Sequence, residues 1–414
     1  MINTKLILID GITGSGKSTI AHFIARQIKN SGFEVKWFHE DENEHPLRLY
    51  GEKYIKNENE SDINYSQRIR TDYYDIWNNF VNKIKDDKTI YIVESFIFQD
   101  ILFFPHFIYD IARNEIKDFD HKVMDIISCL NPVVIHFYQK DVEQALKSNW
   151  KLRGNDWKNS LIRSFGECQY CKNRNYKDEI GVIKLLDDFT HLAIELFNEC
   201  NFRKIQIENS SKNWSKYKQQ ICDFLEIDNS KEFFDYHPFL KYCGDYLGQG
   251  FTCKIFEGTG ILYMDGFWSN LKLLPSTENE IEVEGYPLRL KFSENNGVKS
   301  FQFIEALCYY TQGSTAVKYK PITLTENQLD IFCQDYWCES ENLSRKIYYK
   351  DGKLYYYRSK NNETPLTPIS ETQLMMLNDI DNKLDFKLVD GQWHFTLVIK
   401  GDYPSILHFV PKLK

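Results

Sequence analysis

The sequence predicts an α/β fold, a doubly wound parallel sheet, followed by two antiparallel β-rich units. Three observations carry this reading. An apolar run, Leu6–Ile9, leads through Asp10 into Gly11-Ile12-Thr13-Gly14-Ser15-Gly16-Lys17-Ser18-Thr19, which has the spacing G-x-x-x-x-G-K-[ST]. Apolar runs and helical periodicity then alternate to about residue 228, as expected for parallel strands joined by crossover helices. Beyond about residue 232, short aromatic and β-branched runs separated by Gly, Asp and Asn take over, and a unit of roughly ninety residues occurs twice.

The first strand runs into a phosphate-binding loop. Its glycines let successive N–H groups converge on an anionic phosphate at the start of the helix that begins near Gly16. Lys17 is then placed to reach the β- and γ-phosphates of a nucleotide, and the Ser18 hydroxyl to bind Mg²⁺. The expected nucleotide contacts are Gly11, Thr13, Gly14, Ser15, Gly16, Lys17, Ser18 and Thr19, with ATP and Mg²⁺ as cofactors. Helix Lys17–Ser31 ends at Gly32, a C-terminal stop. Strand Glu34–Phe38, helix Tyr65–Lys85, strands Ile90–Val93 and Val133–Tyr138, helix Asp141–Trp150 with an acid in its first turn, and strand Lys204–Ile207 complete the alternation. Ligands of such sheets bind outside the carboxyl ends of the strands. Those ends supply His39-Glu40-Asp41-Glu42-Asn43-Glu44-His45-Pro46, then Glu94-Ser95, then Gln139-Lys140-Asp141, and beyond the last of these Arg153, Arg163 and Arg174.

Phosphoryl transfer asks for a metal, for cations that meet the spreading charge, and for a carboxylate that orients or deprotonates the acceptor. Asp41 or Glu40 is the candidate base, with Glu94 next in line. Glu94, following a buried strand, also suits a residue holding Mg²⁺ through water, and Arg153 suits a lid cation. His39 and His45 are expected to make local hydrogen bonds. Cys168-Gln169-Tyr170-Cys171 has the spacing of half a zinc site but no second pair nearby. Reduced thiols in a mobile lid, without metal and replaceable by serine, are expected. Asn382-Lys383-Leu384-Asp385 and Asp245-Tyr246-Leu247-Gly248 imitate the N-K-x-D and D-x-x-G of guanine-nucleotide sites, but far from the phosphate loop, and are read as coincidence.

At these residues the chain resembles the P-loop kinases that phosphorylate nucleosides, nucleotides and other small molecules, over residues 1 to about 228. Gly11–Ser18, the Walker A motif, is the sharp match. Asp141–Leu146 is similar to the thymidylate-kinase helix that precedes a basic lid. Glu94-Ser95-Phe96-Ile97-Phe98-Gln99-Asp100 is similar to the Glu-Arg-Ser…Asp segment of deoxynucleoside kinases, without its arginine. The proportions of the chain look like an uncharacterised group of bacterial P-loop proteins. The resemblance implies a P-loop NTPase sheet and ATP-dependent transfer to a small-molecule hydroxyl or phosphate acceptor.

The expected domains are 1–228, 232–318 and 322–414. In the repeat, Phe239–Tyr246 pairs with Leu329–Tyr336, Gly260–Met264 with Gly352–Tyr356, Leu274–Glu278 with Thr367–Glu371, and Leu288–Phe292 with Asn382–Phe386. Each unit resembles the small β domain at the C-terminus of some serine β-lactamase-like proteins. Leu288, Leu290 and Phe292 should face a core. Tyr263, Trp268, Tyr355, Tyr356 and Tyr357 are expected to pack there too, the other choice being a ligand cleft or partner surface. A net charge of −8 without a basic cluster argues against nucleic acid and anionic membrane surfaces. The N-terminus enters a strand directly and no apolar run approaches membrane-spanning length, which favours the cytoplasm. Homo-oligomerisation is left open. A kinase is the expected activity; the rivals are a slowly hydrolysing regulatory switch and a binding protein that works through the β units.

Overall fold

The computed structural model describes residues 3–42, 44–49, 56–57, 59–230, 232–248, 251–307, 309–360, 362–376, 383–399 and 405–412. They form two compact units, Met1–Phe233 with Glu284–Pro287, and Phe234–Val283 with Leu288–Lys414.

The first unit has the P-loop NTPase fold. Its parallel strands are β1 (Leu6–Gly11), β2 (Val35–Phe38), β3 (Ile90–Glu94), β4 (Val133–Tyr138) and β5 (Arg203–Glu208), in the order β2-β3-β1-β4-β5. The central β1 pairs with β3 on one side (Leu8 opposite Val93) and β4 on the other (Leu8 opposite Val134). The chain serves one side of β1 first and the other afterwards, so its connections part at the carboxyl ends of β1, β3 and β4 and leave a crevice there. Along β1 the side chains alternate between two buried layers. Leu6 and Leu8 pack with α2 (Asp62–Ile84), α4 (Arg113–Ile127), α5 (Val142–Arg153) and α8 (Asp178–Glu199). Ile7 and Ile9 pack with α1 (Lys17–Asn30) and α9 (Trp214–Leu225).

Local chemistry sets the helix ends. The Ser61 hydroxyl accepts from Asn64 N at 3.2 Å and starts α2; Asp141 accepts from Gln144 N at 2.8 Å and starts α5. Asp141 is thus the cap, and Glu143 is the acid of the first turn. Between Glu94 and α4 lie α3 (Phe98–Ile101) and a π-helical turn, Leu102–Ile108, which contains Pro105. Sequence periodicity offered no element there, because Phe96–Ile111 is apolar at most positions; Phe96, Ile97, Phe98, Ile101, Leu102, Phe107 and Ile111 are buried. The expected mobile lid is also corrected. Helices α6 (Asn155–Gly166) and α7 (Gln169–Arg174) follow α5, and Cys168 and Cys171 are 7% and 1% exposed in the same core as Leu6 and Leu8.

Asp120 on α4 is fully buried, and neither of its carboxylate oxygens has a hydrogen-bond partner among the described residues. Burial, with Glu199 and Asp10 adding like charge, pushes its carboxyl well above the usual range. A group whose folded pKa is raised binds its proton more tightly in the native state, so its contribution is fully present below the unfolded value near 3.8 and is lost as pH rises. Asp120→Asn should therefore be more stable than wild type at pH 8, by about 1 kcal/mol or more, with a smaller gap at pH 5. Thermal unfolding of both proteins at the two pH values measures this; a gap independent of pH would contradict it.

The second unit contains two closed antiparallel eight-stranded barrels. The first comprises β6 (Gly244–Gly248), β7 (Phe251–Gly258), β8 (Ile261–Asp265), β9 (Leu271–Pro275), β10 (Glu280–Val283), β11 (Arg289–Asn295), β12 (Val298–Glu305) and β13 (Thr315–Tyr319). The second comprises β14 (Asp335–Cys338), β15 (Leu343–Lys350), β16 (Lys353–Ser359), β17 (Asn362–Ser370), β18 (Gln373–Met376), β19 (Lys383–Val389), β20 (Gln392–Ile399) and β21 (Ser405–Pro411). The sequence repeat is a structural one. Equivalent hairpins turn at Thr259-Gly260 and Asp351-Gly352, and at Asn296-Gly297 and Asp390-Gly391, with positive φ at both residues of each pair. The hydroxyl of Tyr246 donates to Tyr242 O at 2.7 Å, and that of Tyr336 to Phe332 O at 3.1 Å. Leu288, Leu290 and Phe292 are buried, as their alternation requires. The tyrosines divide: Tyr356 is interior, whereas Tyr263, Tyr355 and Tyr357 are half-buried, as is Trp268. Asp245–Gly248 lies in β6 and Lys383–Asp385 in β19, so neither forms a nucleotide-reading loop; Asn382 lies outside the described residues.

Candidate functional site

The phosphate loop joins β1 to α1 at the crevice. Gly14 and Gly16 take left-handed φ values of 73° and 88°. A Cβ at Gly14 would fall 2.0 Å from the Asn149 amide, and one at Gly16 would fall 2.3 Å from the Trp214 ring, so both positions demand glycine. The loop is held from two sides. Asn149 on α5 donates to Thr13 O at 3.0 Å, and Asn209, buried in the turn after β5, donates to Ser15 O. Lys17, 5% exposed, folds back to donate to Gly11 O (3.0 Å) and Ile12 O (3.3 Å). A cavity of about 240 Å³ opens over the loop, lined by Gly14, Lys17, Ser18, Glu40, Arg153 and Trp214 among others.

The carboxylates come from the neighbouring strand ends. Glu94 closes β3 and is fully buried. Its Oε1 accepts from Glu40 N at 3.4 Å and lies 3.4 Å from His39 Nε2, while Oε2 has no hydrogen-bond partner among the described residues. Burial and then the Glu40 charge push the Glu94 carboxyl well up, against Lys17, the Glu40 N–H and the Ser18 hydroxyl. Ser95, next in the chain, holds φ at 69°, a conformation that non-glycine residues adopt seldom and usually where function requires it. Glu40 behaves in the opposite way. Burial raises it, but the Lys17 ammonium, His39, Ser95 and Arg153 outweigh that and bring it down to about 2.

Lys17, Ser18, Glu40, Glu94 and Arg153 are therefore one electrostatic cluster. Asp41 is not among the residues that line the cavity; its N–H donates to His39 Nδ1 at 3.0 Å. His39 thus accepts at Nδ1, while its buried Nε2, 3.4 Å from Glu94 Oε1, has no hydrogen bond among the described residues, and burial lowers the pKa of the ring. His45 Nδ1 accepts from Leu47 N at 3.2 Å, and its ring stacks on Phe96 with centroids 3.8 Å apart. Arg174 pairs with Asp110 at 2.8 Å and is not part of the cluster.

Several site residues had no sequence signal. Asp10 accepts from Gly11 N (2.7 Å), Phe98 N (2.9 Å) and Gln99 N (3.2 Å), tying the end of β1 to α3. Asp100 accepts from the Tyr73 hydroxyl; burial, with Asp10 and Glu40, raises it to about 7 against Tyr73 and Arg48. The acid at the end of an apolar strand could have marked Asp10. Asn149, Asn209 and Trp214 act across more than 130 residues of chain, and no local pattern announces that.

Comparison with known proteins finds no matching family model and no matching curated protein. Among solved structures, the Bacillus subtilis YorR protein, in complex with phosphorylated GDP, is 14% identical, covering 53% of this chain and 97% of its own at a TM-score of 0.29. Thymidylate kinase from Candida albicans is also 14% identical, covering 55% and 96%, with a TM-score of 0.29. The Bacillus halodurans tRNA isopentenylpyrophosphate transferase is 14% identical over 54% and 97%, with a TM-score of 0.25. The fold assignment rests on the strand order and the phosphate loop themselves. No helix among the described residues is long and apolar enough to cross a membrane.

Proposed function

We propose that the first unit binds ATP with Mg²⁺ and transfers the γ-phosphoryl group to a small-molecule hydroxyl or phosphate acceptor. The observation that carries this reading is the meeting, at one phosphate loop, of Lys17, Ser18, the ionised Glu40 and the fully buried Glu94 with its unpartnered Oε2. A buried carboxylate oxygen without a donor, beside the Ser18 hydroxyl, fits a divalent cation. Ser18 and, through water, Glu94 would hold that cation, which neutralises charge on the β- and γ-phosphates when bound. Lys17 exchanges its two loop carbonyls for phosphate oxygens, and Arg153 meets charge that spreads onto the transferred group.

Glu40 is the carboxylate that orients the acceptor, since it lines the cavity and Asp41 does not. Held near 2, it is a weak base, which suits a loose transition state needing orientation of the hydroxyl more than early proton removal. The direct test is ADP release from Mg²⁺-ATP by the full chain with nucleosides, nucleotides, sugars and amino alcohols as acceptors. Ser18→Ala should weaken ATP binding about tenfold or more in Mg²⁺, the scale of one charge-assisted contact, and change it by less than about twofold in EDTA. Equal losses in both media would remove Ser18 from the metal.

A further inference from the structure

We infer that the phosphoryl acceptor is an uncharged hydroxyl compound, held between Glu40 and the phenol of Tyr286 in the phosphate-loop cavity that both residues line. That acceptor class, which rests on phosphoryl transfer at this cavity as proposed above, narrows a hydroxyl or a phosphate to a hydroxyl alone. Tyr286 lies in the connection between β10 and β11, and its segment, Glu284–Pro287, belongs to the first unit. Three contacts hold the segment there. Glu284 lies 3.9 Å from Lys218 on α9, Gly285 N donates to His22 Nδ1 on α1 at 3.1 Å, and the Tyr286 ring lies beside His39 with centroids 5.4 Å apart. A Cβ at Gly285 would fall 3.4 Å from Thr19 N, so the segment packs against the first turn of α1.

The two groups offer opposite halves of a hydrogen-bond pair. Burial pushes the half-buried Tyr286 phenol up to about 12, against Arg153 and with Asp41, Glu40 and Glu94, so it keeps its proton and can donate. The ionised Glu40 can only accept. A hydroxyl serves both: its O–H donates to Glu40, one lone pair accepts from Tyr286, and the other is left to attack. A phosphate monoester instead brings a charge of roughly −1.5 to −2 at pH 7 beside Glu40. Among the described residues that line the cavity, the cations are Lys17 and Arg153, which meet the transferred group. Arg48 donates to Glu40 O and is not among them. In the transfer, the acceptor oxygen bonds to the γ-phosphorus as the bond from that phosphorus to the β–γ bridging oxygen breaks. ADP leaves with that electron pair, and the acceptor proton passes to Glu40 and on to water. The balance is ATP and ROH giving ADP, the monoester of ROH and one proton.

The full-length protein with Mg²⁺-ATP, given nucleosides and sugars in one series and their phosphate monoesters in another, tests this, with water as the hydroxyl acceptor common to both. Phosphorus-31 NMR of the product should show a new phosphate monoester, a readout that needs no variant to fold. Tyr286→Phe keeps the ring beside His39 and removes the hydroxyl. It should lower ADP release about tenfold, to water as to any other acceptor, the scale of one hydrogen bond. Its Mg²⁺-ATP affinity should stay within about twofold of wild type, since the contact is made to the acceptor. Unchanged ADP release in Tyr286→Phe, or ATP affinity weakened as much as release, would overturn the placement of Tyr286. A diphosphate product would overturn the hydroxyl class while leaving phosphoryl transfer intact. Wild type that releases no ADP to any acceptor, water included, would overturn phosphoryl transfer itself and this acceptor site with it.

Discussion

Replacing Lys17 by methionine is expected to bring nucleotide turnover to background, a fall of at least about 10³-fold, the upper scale for losing one preorganised charge at a developing transition state. The fold should survive. Lys17 is buried, but among the described residues its hydrogen bonds go to Gly11 O and Ile12 O, and methionine is of similar length and unbranched, so it can follow the same path between them. The ammonium is therefore removed without opening a cavity. Circular dichroism should match wild type and the unfolding transition should stay cooperative, with a lower midpoint because the buried Glu40 loses its ammonium partner, while ADP release disappears. Turnover within tenfold of wild type would mean that Gly11–Ser18 does not carry phosphate chemistry.

Glu40→Gln should lower transfer by about 10²–10⁴-fold, the range for loss of a carboxylate acting on the acceptor. Asp41→Asn should fall by much less, because Asp41 is outside the cavity lining. Removing the Glu40 charge also frees Lys17 and Glu94 from it, since Glu40 is the first like charge raising Glu94. Glu94 should then ionise more readily, and Mg²⁺-ATP affinity should hold or rise while transfer drops. Parallel measurement of ATP affinity and single-turnover transfer in both variants separates the cases. An Asp41→Asn loss as large as that of Glu40→Gln would return the acceptor role to Asp41, and transfer within twofold of wild type in both would pass it to Glu94.

Much of the sheet was legible because its strands are buried on both faces. Leu6–Ile9, Ile90–Val93 and Val133–Tyr138 are continuous apolar runs bounded by polar residues, so their existence and order follow from composition alone. Boundaries moved by one to three residues where a cap decided them, as Ser61 and Asp141 do. The stretch Phe96–Ile111 was not legible, because a segment apolar on all sides has no periodicity to read. Closure of the β units into barrels was equally out of reach, since it depends on β6 meeting β13 and β14 meeting β21, pairings between the first and last strands of each repeat.

Sequence by itself determined the phosphate loop, the alternation of strands and helices behind it, and the duplication of the β unit, because each is written in residues adjacent in the chain. Only the tertiary structure decided which acid faces the loop, why Gly14 and Gly16 admit no side chain, and that Cys168 and Cys171 are buried together. Those outcomes depend on Asn149, Trp214, Ser95 and the core that Leu6 and Leu8 share with the two cysteines, and on which charge burial leaves ionised. Glu40 and Asp41 are neighbours in sequence, yet the Lys17 ammonium brings one of them down to about 2 at the edge of a cavity that the other does not line. Electrostatic energy depends on distance through space and on exclusion of water, and neither is a property of position along the chain.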